Sequence, residues 1–95
     1  MPFQIHDLVF LHLQDILEIK NFRVPLEYRR MGIGSQLYNE TERYAKERGF
    51  RKIQIDTHED NFNLIKFLLN NGFKIILKEY LYNLYQIEAV MQKDL

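Results

Sequence analysis

Ninety-five residues suit one small domain, spanning 1–95, and a chain this short buries less of its surface than a larger domain does, so its stability is modest or shared with a partner. A composition 46% hydrophobic and 14% aromatic excludes intrinsic disorder. Thirteen basic residues against thirteen acidic ones leave no net charge and hence no general attraction to nucleic acid or anionic lipid. The absence of cysteine excludes disulfides, thiolate metal sites and a cysteine nucleophile. The start, MPFQIHD, lacks the basic and apolar regions of a signal peptide, and the longest apolar run, Leu8 to Leu11, is far too short to span a bilayer. The expectation is a soluble, cytoplasmic protein with no membrane partner.

Val9 to Leu13 is apolar and β-prone, and Gln14-Asp15 reads as a tight turn. Ile16 to Val24, ILEIKNFRV, reads as a strand with Leu17 and Ile19 on one face and Glu18, Lys20, Phe22 and Val24 on the other. Pro25 cannot donate to a ladder and closes it. From Gly32 to Arg48 the spacing is helical, with Ile33, Leu37, Thr41, Tyr44 and Ala45 on one face, and Gly49 suits the position just past its end. Lys52 to Thr57 alternates as a strand. Asn61 stands where a cap belongs before FNLIKFLLNN, a short helix apolar nearly all round and so expected to be well buried, which Asn71-Gly72 ends. Phe73 to Glu79 and Leu84 to Gln92 read as two further strands, with Tyr80 to Asn83 between them. The order β-β-α-β-α-β-β predicts an α/β sandwich around a mixed sheet.

RRMGIG, residues 29–34, places two of the four glycines where a strand hands over to a helix. The N–H groups of a helix's first turn have no intrahelical partner, the dipole adds positive potential there, and glycine lets a bulky anion approach the backbone. A dinucleotide fingerprint would need a third glycine where Leu37 stands, and a P-loop would need Gly-Lys-Ser/Thr where Gly34-Ser35-Gln36 stands. On these residues alone, a plain turn and a phosphate site both remain open.

The wider pattern narrows the choice. Val24, followed five residues later by Arg29-x-x-Gly32-x-Gly34, closely resembles the acetyl-CoA signature [QR]-x-x-G-x-[GA] of the GNAT N-acetyltransferases. Asn61 opens N-x-x-L-x-x-F-L-x-N-x-G-F, similar to the family's second motif, and MQKDL resembles the family's usual ending. The resemblance implies a mixed, mostly antiparallel sheet with two main helices, and transfer of an acetyl group from acetyl-CoA to an amine. It implies that the backbone N–H groups of Arg29, Arg30, Met31, Gly32, Ile33, Gly34 and Ser35 cradle the pyrophosphate. Phe22 and Val24 would bond the pantetheine through their backbone, and Asn61 would help hold the cofactor arm. The side chains of Arg29 and Arg30 either add charge for the phosphates or form a solvated basic turn.

Two departures from the family pattern stand out. Its members normally open with a strand and two helices before the segment that starts here near Phe3, and those helices form one wall of the acceptor groove; the chain is read as N-terminally truncated. Leu68 stands where many members carry a tyrosine that protonates the departing thiolate. A thiol with a pKa near 8.5 leaves readily as thiolate, whereas an amine with a pKa near 10.4 needs a base, so the base matters more than the acid. Glu18, eleven residues before Arg29, sits at the spacing at which some members place a catalytic glutamate; a solvated strand glutamate is the competing reading. His58 is either a second base or a loop residue. Tyr80, Tyr82 and Tyr85 either pack or line the acceptor site. The three histidines lack metal-ligand spacing, so no metal is expected. The alternative function is a non-catalytic coenzyme-A-binding or protein-interaction module. A homodimer is expected, covering surface that the absent helices would otherwise cover.

Overall fold

Among the described residues, alternating apolar side chains build a single sheet, and two helices cover one of its faces. A computed structural model describes residues 10–13, 15–19, 33–82 and 84–95. The elements are β1 (Phe10–Leu13), β2 (Ile16–Ile19), α1 (Ile33–Glu47), β3 (Lys52–His58), α2 (Phe62–Asn70), β4 (Lys74–Glu79) and β5 (Glu88–Asp94). The sheet order is β1-β2-β3-β5-β4. β2 and β3 run parallel, and the other three pairs are antiparallel, as the sequence predicts for a mixed sheet. Leu13 pairs with Ile16, which fits the expected two-residue turn between the first strands.

Register decides the core. Leu17 lies beside Ile53, and Ile19 beside Ile55, which in turn faces Met91 across β5. These five residues point to the same side and are buried with Leu37, Tyr38 and Ala45 of α1, Leu68 of α2, and Phe73. The Tyr38 ring meets Phe67 and Phe73 edge-on, each at 5.8 Å, and so ties the two helices together over the sheet. Thr41, fully buried on α1, donates its hydroxyl to the Leu37 carbonyl at 2.8 Å, so its burial leaves no donor unpaired.

Both helices stop in the same way. Gly49 (φ +77°) follows α1, with its N–H on the Lys46 carbonyl and the Phe50 N–H on that of Ala45. Gly72 (φ +92°) follows α2, with its N–H on the Leu69 carbonyl and the Phe73 N–H on that of Leu68. This is the Schellman arrangement, and it needs a residue free to take positive φ. At Gly72 it also delivers Phe73 straight into the core.

Three expectations are corrected. α2 is not well buried: Leu68 alone is fully covered, while Phe62 is 73% and Leu69 47% exposed. A nine-residue helix touches the core along one stripe, so its remaining apolar residues point away. The last strand begins at Glu88, not Leu84, and pairing with β4 stops where Glu79 meets Glu88, two like charges side by side. Neither are Tyr80, Tyr82 and Tyr85 core residues, all three being exposed.

Lys93 closes the helix layer from β5. Its Nζ lies 2.5 Å from Glu42 Oε1 and 3.1 Å from the Tyr38 hydroxyl, all half-buried or buried. Burial disfavours charge on Glu42, but the hydrogen bond and positive charge of Lys93 outweigh it and hold the carboxyl below its ordinary range. Burial likewise opposes charge on Lys93, and its bonds to Glu42 and Tyr38 more than reverse this, raising its pKa; burial raises that of Tyr38. A depressed carboxyl contributes stability above its unfolded pKa that is lost as pH falls through the folded one. The raised lysine and tyrosine contribute below their unfolded pKa values and lose it as pH rises through the folded ones. Lys93→Met is therefore expected to cost about 1–3 kcal/mol at neutral pH. In denaturant melts the deficit should shrink as pH falls below the ordinary glutamate range; a deficit constant across that range refutes the ion-pair account.

Candidate functional site

Parallel pairing puts the carboxyl ends of β2 and β3 at one edge of the sheet, and the two helix N-termini join them there. α1 ends only four residues before β3 begins, and the Arg51 N–H bonds the Asp15 carbonyl at 2.8 Å, so the C-terminus of α1 sits at the start of β3. Fifteen helical residues rise about 22 Å, close to the span of seven strand residues, so α1 starts level with the end of β3. Its first turn holds Ile33, Gly34 and Ser35 with no acidic residue, Gly34 half-buried and Ser35 exposed. Such a turn suits an anion, because nothing of like charge competes for its free N–H groups.

Asn61 caps α2 from the other side of this edge. Its Oδ1 accepts the Leu64 N–H at 3.4 Å, and its Nδ2 donates to the Thr57 hydroxyl at 3.2 Å, fixing the start of α2 to the last buried residue of β3. Among the predicted site residues, Ile33, Gly34, Ser35 and Asn61 thus belong to helix N-termini at the strands' carboxyl edge. Phe22, Val24, Arg29, Arg30, Met31 and Gly32 lie outside the described residues.

Glu18 stands apart. It points to the face opposite the helices and is 6% exposed, level with Gln54, whose Oε1 accepts from Gln92 Nε2 at 2.6 Å. Gln54 precedes the end of β3 by four residues, about 13 Å along the strand. A small substrate cannot touch both ends of that distance, whereas an extended one can.

The same open face carries chemistry that the sequence reading did not assemble. Glu88, 4% exposed, holds Oε1 3.2 Å from His58 Nε2, its neighbour across β3 and β5. Burial raises the Glu88 pKa, His58 opposes the rise, and Asp56 adds to it. The Tyr82 hydroxyl donates to Asp56 Oδ2 at 2.5 Å. β3 runs three residues past its last rung with β2, Ile19–Ile55, so Asp56, Thr57 and His58 pair with β5 alone among the described strands. His58 is accordingly a strand end, not a loop residue. The sequence reading ended this strand at Thr57, and nothing in the sequence set Glu88 beside Asp56 and His58. Leu68 is fully buried in the core and offers no proton. Among the described residues no group of three His, Cys, Asp or Glu is placed to hold a metal, and no helix is long and apolar enough to cross a membrane.

The chain matches the acetyltransferase (GNAT) family over residues 7–73, and it belongs to that family. No curated protein matches it in sequence. Among solved structures, it is similar to an IAA acetyltransferase from Bacillus cereus (TM-score 0.83, 20% identity, 93% of this chain and 68% of that one). It is also similar to Ard1 from Thermoplasma volcanium (0.85, 23%, 93% and 61%) and to a Bacillus subtilis acetyltransferase in complex with CoA (0.79, 22%, 93% and 67%). At these identities the likeness is one of fold. The chain spans 61% of the Ard1 protein's length and 68% of the IAA acetyltransferase's.

Removing the Asn61 cap tests how firmly the site is built. Asn61→Ala is expected to cost between about 0.5 and 2 kcal/mol, toward the lower end because the 3.4 Å contact is long. Asn61→Asp retains the accepting oxygen and should recover most of the loss in denaturant melts.

Proposed function

We propose that this protein transfers the acetyl group of acetyl-CoA to an amine. The observation that carries the reading is the family match over residues 7–73, which spans both the β2–α1 segment and the Asn61 cap. The acid-free first turn of α1 fits a pyrophosphate, as the sequence signature implies for residues 29–35. Similar proteins solved in complex with coenzyme A support the same cosubstrate.

In the proposed reaction the acceptor's neutral nitrogen attacks the thioester carbonyl. The N–C bond forms, the C–S bond breaks, and the sulfur leaves as thiolate, which a pKa near 8.5 allows without an acid at position 68. Glu18 takes the amine proton, directly or through water. Its support is its place on the face opposite the helices, level with Gln54, and its spacing from Arg29. The acceptor is an amine of open class: peptide, polyamine, small metabolite or antibiotic. We also propose that the protein acts as a homodimer, motivated by the exposed Tyr80, Tyr82, Leu84 and Tyr85.

Leu68 favours the second reading, a coenzyme-A-binding module without turnover, and an assay separates the two. Acetyl-CoA should raise the melting temperature, and Gly34→Val, whose side chain enters the anion site, should abolish the shift. Absence of any shift for the wild type at millimolar acetyl-CoA defeats both readings. With an accepted amine, Glu18→Gln should lower turnover roughly 10²-fold or more at nearly unchanged acetyl-CoA affinity. Undiminished turnover moves the base elsewhere, first to His58 with its buried partner Glu88. A wild type that binds acetyl-CoA but acetylates nothing in a broad amine panel leaves the binding module.

A further inference from the structure

β4 ends the described sheet on the β5 side and is exposed along its whole length. On the edge away from β5, its outward N–H and C=O groups face no described strand. Three consecutive apolar residues, Ile75, Ile76 and Leu77, lie at its centre, with Ile76 51% exposed. Lys74 opens the strand and Glu79 closes it. Edge strands of this kind invite pairing unless their chemistry forbids it.

A strand can pair with its own copy in one continuous sheet only about a two-fold axis perpendicular to that sheet. Residues facing each other across the axis must then point to the same side. Lys74 and Glu79 are five apart, and in a regular strand an odd separation puts them on opposite faces. The bulge between Ile75 and Leu77 removes that obstacle. Lys74 lies beside Gln92 and Glu79 beside Glu88, both residues of the open face, while Ile75 beside Met91 and Lys78 beside Ala89 belong to the helix face. The extra residue, Ile76, switches the alternation at mid-strand.

We infer that β4 pairs antiparallel with the β4 of a second copy about such an axis, with Lys74 opposite Glu79 of the partner subunit and Ile76 opposite Leu77 of the partner subunit. The charges are complementary at both ends by symmetry, and the apolar residues meet at the axis. Continued along the chain, the same register sets Tyr80 and Leu81 alongside Phe73 and Gly72 of the partner subunit, near the exposed Leu69 in the last turn of α2. Apolar surface that α2 leaves uncovered in one subunit thereby meets apolar surface from the segment after β4 in the other. The inference rests on the homodimer reading and names its surface; it is independent of acyl transfer.

Charge reversal tests the register. Lys74→Glu sets two glutamates face to face at each end of the interface, and Glu79→Lys sets two lysines there. Each should weaken dimerisation roughly tenfold, as like charges directly opposite do across a pair of strands. The double variant Lys74→Glu/Glu79→Lys should restore wild-type dimerisation, and Ile76→Lys should abolish it. All four are surface changes, and melting curves confirm that each variant is folded before sedimentation velocity is measured over the micromolar range. A wild type that sediments as a monomer overturns the homodimer reading and this surface together. A dimer indifferent to the single reversals and to Ile76→Lys leaves the homodimer standing and overturns the β4 surface. A double variant weaker than either single one overturns the register.

Discussion

A parallel rung between Leu17 and Ile53 cannot be closed by a hairpin. The chain must return from the end of β2 to the start of β3, and α1 is the element that makes the return. From that requirement the rest follows. α1 runs antiparallel to its strands and ends in a tight Gly49 turn at the foot of β3, so its free N–H groups come out at the carboxyl edge. β3 then delivers α2 to the same edge through Asn61. An acid-free helix start, a capped second helix and the carboxyl end of a strand pair meet there because of connectivity.

The two faces of the sheet are used for opposite purposes. Beneath the helices, the rows Leu17–Ile53 and Ile19–Ile55–Met91 are apolar, and the charged Lys93 is met by Glu42 and Tyr38. On the open face, Glu18 and Glu88 are covered almost as completely, although a carboxylate gains nothing from losing water unless something compensates. Glu88 has His58. Burying two carboxylates on the face that no described helix covers carries a cost in folding free energy that their partners must offset.

What was legible in the sequence was local. Alternation in KIQIDTH, the helical spacing after Gly32, and glycines at 49 and 72 each express one element's own geometry, and the structure repeats them within a residue or two. Tyr38 was overlooked as a core residue because the partner of its hydroxyl, Lys93, stands 55 residues away. The Asp56–Tyr82 and His58–Glu88 pairs were invisible for the same reason: they depend on the register of β5 against β3, which no window of sequence contains. α2 was misjudged in the other direction. Apolar residues all round a helix announce burial only if something is present to cover each side.

Position 68 shows how packing and chemistry trade against each other at one residue. Leu68 is fully buried between α2 and the sheet and anchors the Gly72 turn through its carbonyl. A tyrosine there would have to send its hydroxyl out of the core or leave it unsatisfied within it, and the latter costs a few kcal/mol at most sites. Leucine removes that demand and fills the core. In the proposed reaction the loss falls on the step that needs least help, since a thiolate near pKa 8.5 departs unprotonated, while the ammonium near pKa 10.4 still needs a base. Leu68 thus serves the apolar layer beneath the helices, while the buried carboxylates of Glu18 and Glu88, the latter 3.2 Å from His58, lie on the opposite face of the sheet.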